Sequence, residues 1–176
     1  MIGAKEMPMN YQSQRAFTLV ELAIIVSLIA VLVSFALPAL GELQARNARD
    51  AIRNELMASL ANARSTAVTS GRTVELCGSS DGEACDGAWS FGWLVRVNKE
   101  TIHTHRMISP GQLSWHGVRK VIRYQANGTT SLSNGRFVFC PAMPTLENWH
   151  LIINRQGRTR IETRAPDAPS NRYCET

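Results

Sequence analysis

Apolar positions change their spacing twice along this chain. From 17 to 40, FTLVELAIIVSLIAVLVSFALPAL, they are nearly continuous, and Glu21 is the one charge among them. From 41 to 70 they thin to a stripe. Leu40, Leu43, Ala48, Ile52, Leu56, Leu60, Ala63 and Ala67 recur three to five residues apart, flanked by Arg46, Arg49, Asp50, Arg53, Glu55 and Arg64. That spacing is one face of an amphipathic helix, and Gly71 supplies its C-terminal stop. Beyond Gly71 the apolar runs are short and β-rich, as in the alternating, aromatic-rich WSFGWLVRV of 89–97. Strands are expected at 73–77, 89–97, 101–107, 113–115, 118–124, 136–140, 149–154 and 158–163. Turns are expected at Asn98-Lys99-Glu100, Asn127-Gly128, Asn134-Gly135 and Arg155-Gln156-Gly157. The stretch 164–176 has two prolines and little periodicity and reads as an irregular tail. A helix followed by many short antiparallel strands defines an α+β chain.

At 1.5 Å per residue, a helix over 17–40 is long enough to cross a bilayer core of about 30 Å. Lys5 and Arg15 precede it, so its N-terminus should stay cytoplasmic. A cleaved secretory signal fits poorly, because the run is too long and no small-x-small site follows it. A plain anchor leaves Glu21 unexplained. A carboxylate at membrane depth costs roughly 2.5–3.5 kcal/mol on insertion scales and asks for a partner. Pro38 removes one helical hydrogen bond and should kink or loosen the helix.

Charge and cysteine content narrow the picture further. The 176 residues carry 19 Lys and Arg against 14 Asp and Glu, unevenly spread. Residues 101–176 hold ten basic and four acidic groups, whereas 17–100 hold seven basic and nine acidic. A basic C-terminal half suits a polyanion or an acidic surface, although a solvated face kept for solubility has the same composition. Four cysteines in an exported domain point to disulfides, and four allow three pairings. Cys77 and Cys85 bracket a polar, glycine-rich loop, so local pairing is expected, which leaves Cys140 with Cys174. Zinc is the sharper alternative, but no C-x2-C pair exists, and His103 with His105 is an isolated pair on one face of a strand. No catalytic constellation, phosphate loop or cofactor motif stands out. His116 and His150 are lone residues beside tryptophans. Trp89, Trp93, Trp115 and Trp149 lie in strand-like runs and are most simply core; stacking single-stranded DNA would need them exposed.

Arg15-Ala16-Phe17-Thr18-Leu19-Val20-Glu21 resembles the processing site of type IV prepilins and type II secretion pseudopilins. The resemblance implies cleavage between Ala16 and Phe17 by a prepilin peptidase, followed by methylation of the new amine. Glu21 becomes the fifth mature residue, where the family has its glutamate, and meets a neighbouring subunit's amino terminus in the filament. Ala16 departs from the glycine usual before the cut. The division implied is a leader at 1–16, a transmembrane and filament-core helix at 17–40 that makes a single pass of the inner membrane, its amphipathic continuation at 41–70, and a β-rich domain with a basic tail at 71–176. The helix end at 61–68 ahead of a β domain resembles the FimT/GspH branch of minor pilins and pseudopilins. The fold it implies is a long helix packed on a C-terminal antiparallel β domain.

Gly157-Arg158-Thr159-Arg160 resembles the GRxR motif that FimT-type minor pilins use on DNA in natural transformation. The residues make a physical case of their own. Arg155, Arg158, Arg160, Arg164 and Arg172 fall close together, opposed by Glu162 and Asp167. On a strand Arg158 and Arg160 project from one face. Guanidinium forks match phosphate oxygens. Gly157 permits a sharp turn and would offer an unobstructed amide. A Cys140–Cys174 bridge would hold the tail, with Arg164 and Arg172, near the same surface. Such contacts read phosphates rather than bases, so binding should be sequence-tolerant and salt-sensitive. The function expected is a minor pilin, partnered by major and minor pilins, whose domain is periplasmic and then extracellular on the pilus, where it captures DNA. The competing reading is an assembly-priming minor pilin or GspH-like pseudopilin without a nucleic-acid role.

Overall fold

The computed structural model describes residues 18–108, 110–164 and 173–174. Its first element is a single helix, α1 (Leu19–Ser70). Thr18 caps the start, its Oγ1 accepting the Glu21 N–H at 3.2 Å. Thr18-Leu19-Val20-Glu21 is thus a capping-box sequence, and the position of Glu21 near the helix N-terminus suits its negative charge. Gly71 closes the helix at φ 66°, a conformation that costs a side chain with a Cβ. The helix assignment runs through Pro38.

The chain divides into two compact units, 1–41 and 42–176. In the first, every described side chain from Leu19 to Gly41 is exposed. The hydroxyls of Ser27 and Ser34 donate to the carbonyls of Ile24 and Val31, so they are satisfied within the helix itself. By length and composition this segment can cross a membrane.

In the second unit α1 buries Ile52, Leu56, Ser59, Leu60, Ala63 and Ala67, a 3.6-residue stripe. Leu43 stays 53% exposed, and Leu40 is exposed with the rest of the first unit. The stripe packs on eight strands: β1 (Val74–Gly78), β2 (Gly92–Val97), β3 (Glu100–Arg106), β4 (Gly111–Gly117), β5 (Val121–Tyr124), β6 (Gly135–Pro141), β7 (Asn148–Ile153) and β8 (Thr159–Arg164). They form two antiparallel sheets, ordered β3-β2-β1-β5 and β4-β6-β7-β8. Alternation puts Val74, Leu76, Trp93, Val95, Ile122 and Tyr124 on the inner face of the first sheet, and Leu113, Phe137, Phe139, Trp149, Leu151 and Ile153 on that of the second; these join the α1 stripe in one core. Ser59 is polar within it because its Oγ accepts the Trp93 indole N–H at 2.9 Å. Trp89, Trp93 and Trp149 are buried and the partly buried Trp115 packs on Trp89 and Phe137, so none offers the exposed stacking platform single-stranded DNA would need.

Two expected strands are shorter than the pattern suggested. Over 89–91 the chain turns, and β2 begins only at Gly92, where a Cβ would meet the His105 carbonyl oxygen. Residues 118–120 bend with Val118 exposed, and β5 begins at Val121.

Each disulfide secures a segment on the outer face of one sheet. Cys77–Cys85 closes the 78–84 loop, with Arg96 Nη1 at 3.4 Å from Cys85 Sγ. Asp81 organises that loop: the Ala84 and Glu83 amides and the Ser79 hydroxyl donate to its carboxylate and hold its pKa at about 2. Cys140–Cys174 ties the tail to β6. It brings Tyr173 over the second sheet, with its ring 4.7 Å from His116, 6.0 Å from His150 and 5.8 Å from the Arg136 guanidinium.

Candidate nucleic-acid interface

Arg155 and Arg158 are presented by the turn between β7 and β8. Local hydrogen bonds build this turn. The Gly157 N–H donates to the Asn154 carbonyl (2.9 Å), the Asn154 N–H to the Arg158 carbonyl (3.1 Å), and the Arg158 N–H to Asn154 Oδ1 (2.9 Å). The β5–β6 connection braces it from outside. The Thr130 N–H donates to the Arg155 carbonyl (3.0 Å), and Thr130 Oγ1 to the Asn154 carbonyl (2.8 Å). A turn this densely bonded places its side chains firmly.

Gly157 therefore acts differently from expectation. Its amide is not open to a ligand, because Asn154 takes it. Glycine is required here for two other reasons. The backbone sits at φ 74°, and a Cβ would meet the Gly128 carbonyl oxygen and approach Tyr124 Cε1 to 3.0 Å. The residue is buried, and its smallness lets two turns and Tyr124 pack together.

The arginines divide between two places. Arg155 and Arg158 are exposed in and beside the turn. Arg158 precedes β8 rather than lying on it, because its amide is committed to Asn154. It lines a cleft of about 670 Å³ with Leu60, Arg64, Val68 and Tyr124. Arg160 lies on β8 opposite Ile152, on the face away from the core, and pairs with Glu162 at 2.8 Å. It is not among the residues lining the cleft. The expected common face of Arg158 and Arg160 is thus replaced by a cleft arginine and a sheet-face arginine. Arg164 ends β8 opposite Asn148. Arg172, Ala16 and Phe17 lie outside the described residues. Glu21 is placed at the start of α1, in the first unit.

One cation of this surface escaped the sequence reading. Arg64 was counted with the flanks of the amphipathic helix, yet it lines the same cleft as Arg158. A signal was present. Its helical neighbours at three and four residues, Leu60, Ala61, Ala67 and Val68, include no acid. By contrast Arg46 pairs with Glu42, and Arg49 and Arg53 share Asp50.

His105, His116 and His150 each lie against an aromatic ring. His105 stacks on Trp93 with ring centroids 4.1 Å apart, and its Nδ1 is 3.4 Å from Glu55. Burial holds its pKa down, with His103 adding to the effect and Glu55 opposing it. His116 is held down by burial and then by Arg136. Among the described residues no group of three or more His, Cys, Asp or Glu is arranged to hold a metal ion.

Comparison with known proteins agrees with this architecture. The family model described as "Type II transport protein GspH" matches residues 53–157. Two crystal forms of the type IV minor pilin FimU of Pseudomonas aeruginosa have a similar fold. One aligns at TM-score 0.57 and 22% identity, covering 70% of this chain and 96% of FimU. The other aligns at 0.52 and 22%, covering 65% and 94%. No curated protein sequence is a significant match.

Proposed function

The chain belongs to the GspH family of type II transport proteins, and from that premise we propose that it is a minor type IV pilin whose domain binds DNA for uptake. The observation that carries the DNA reading is the braced β7–β8 turn, which presents Arg155 and Arg158 to solvent, with Arg160 on the strand that follows. Guanidinium groups held on a rigid turn lose little freedom on meeting phosphate oxygens, and they recognise no base. A structural, non-catalytic role fits both the fold and the residues.

Processing completes this proposal. Cleavage after Ala16 frees an amine at Phe17, and Glu21 of one subunit meets that amine on another. The apolar surface of residues 19–41 is then covered by neighbouring pilin helices rather than by lipid. Sequencing the N-terminus of protein recovered from filaments should read Phe17 first. A terminus upstream of Phe17 would remove the filament assignment.

The DNA reading is tested with the full-length chain in neutral detergent and a labelled mixed-sequence duplex. Binding should weaken steeply with salt, with a log–log slope of about −0.9 per phosphate contacted. Arg158→Ala/Arg160→Ala should abolish it. Unchanged binding in that variant rejects the site.

A second reading is an assembly-priming or secretion pseudopilin without nucleic acid. The Arg160–Glu162 pair favours it, because it offsets one of the proposed cations. Absence of binding by the parent chain decides for this reading.

A further inference from the structure

Arg64 and Tyr124 line the same cleft as Arg158 but belong to elements outside the β7–β8 turn. Arg46, Arg49 and Arg53 of α1 each pair with an acid, and among the described residues Arg64 does not. Its guanidinium lies over Gly128, with Nε 3.2 Å from where a Cβ on that residue would stand. Gly128, at φ 76°, therefore opens the space the guanidinium occupies. The Gly128 carbonyl oxygen in turn abuts Gly157, and the Tyr124 ring edge lies against Gly157 from the other side. Arg64, Tyr124 with the 125–129 turn that follows it, and the β7–β8 turn are contiguous, although they come from three separate stretches of chain.

Tyr124 adds an independent observation. It is fully buried, it lines the cleft, and its hydroxyl has no hydrogen-bond partner among the described residues. A buried hydroxyl without a partner is costly, so a native structure that keeps one invites an explanation. Burial pushes the phenol up to about 12, against the pull of Arg64, so it remains a neutral donor at physiological pH.

Resting on the DNA-binding reading above, we propose that the phosphate-binding surface extends from the β7–β8 turn into the cleft beside α1, with Arg64 as its helix-borne cation. The ligand is a backbone phosphate of nucleic acid held between Arg64 and Arg158, with the Tyr124 hydroxyl as the donor it reaches when the Arg64 side chain shifts. The lining between the two arginines is largely apolar or hydroxyl-bearing: Leu60, Ala61, Ser65, Val68, Thr69 and Thr159. Among the described residues no carboxylate lines the cleft to repel a phosphate, in contrast to Arg160 on the sheet face, which faces Glu162. Arg158 is thereby the more effective member of its motif.

The test uses the full-length chain in neutral detergent, a fluorescein-labelled mixed-sequence 30-base-pair duplex, and a salt series for each variant. Arg64→Gln should weaken binding about five- to tenfold at low salt and make the log–log slope shallower by about 0.9, the loss of one phosphate contact. Arg64→Lys should keep the slope of the parent, since it keeps the charge. Tyr124→Phe should weaken binding about two- to fivefold with the slope unchanged, since it removes a neutral donor. Parental affinity and slope in Arg64→Gln, alongside lost binding in Arg158→Ala/Arg160→Ala, overturn this proposal and leave the DNA reading standing. Equal weakening in Arg64→Gln and Arg64→Lys without a change of slope assigns Arg64 to packing and also overturns it. A parent chain that binds no duplex overturns both.

Discussion

The residues 19–41 and the residues 42–70 belong to one helix assignment but meet the same demand in opposite ways. In the first stretch apolar side chains surround the helix on all sides, every described one is exposed, and the seryl hydroxyls bond back to the helix backbone. In the second stretch apolar residues keep to one stripe, which two sheets cover, while Arg46, Arg49 and Arg53 are paired with acids on the helix surface. The contrast teaches that backbone helicity here does not depend on which partner covers the side chains. An all-round apolar helix has its backbone groups satisfied internally and is completed by a membrane or by other helices. A striped helix is completed by its own chain.

That contrast can be broken most directly with paired substitutions in the full-length chain, unfolded in neutral detergent. Leu56→Ala removes a fully buried side chain from the core and should cost about 2–5 kcal/mol. Leu28→Ala, at a position 62% exposed, should leave domain unfolding within about 0.5 kcal/mol. Equal losses would mean the two stretches are not energetically separate. The next effect is that of the tail bridge. Cys140→Ser/Cys174→Ser opens a closure of 34 residues and should cost about 3–4 kcal/mol in chain entropy, read as a lower denaturant midpoint. It should also free Tyr173 from His116 and Arg136, seen as a change in near-ultraviolet circular dichroism. An unchanged midpoint would assign the bridge no part in domain stability.

The smallest expected effect is on pH. His105 and His116 have pKa values below the ordinary 6.5 in the folded domain. The unfolded chain therefore binds protons first, so stability falls as pH drops from about 7 through 6.5 and toward the lower folded values. Asp81 acts in a separate window. Its pKa is depressed to about 2, so its contribution is complete above the ordinary carboxylate range and is lost as pH falls from about 4 toward 2. Thermal unfolding across a pH series should show both declines. His105→Gln with the parental profile near neutrality would remove His105 from the first.

Much of the fold was legible because its signals are local. The 3.6-residue stripe from Ile52 to Ala67, the stop at Gly71 and the Asn98-Lys99 turn, where both residues take positive φ, are set by neighbours within a few residues. Strand edges at 89–91 and 118–120 were misjudged, since apolar residues there serve turns and not sheet alternation. The candidate site was legible only in part. Its arginines are visible in the sequence, but the commitment of the Gly157 amide to the Asn154 carbonyl depends on the conformation of the turn, and the place of Arg64 in the cleft on contacts between separate elements.

The sequence by itself determined where the helix stripe lies, which stretch is apolar on every side, that the remainder is β-rich, and that four cysteines stand ready to pair. These follow from periodicity and residue type, which act over one or two turns. The tertiary structure alone decided that β1 lies between β2 and β5 and that β6 lies between β4 and β7. It also decided that Arg158 faces a cleft while Arg160 faces Glu162, and that Arg64 reaches the same cleft from α1. Those outcomes depend on register between strands and turns far apart in the chain, where a shift of one residue reverses every side chain's direction.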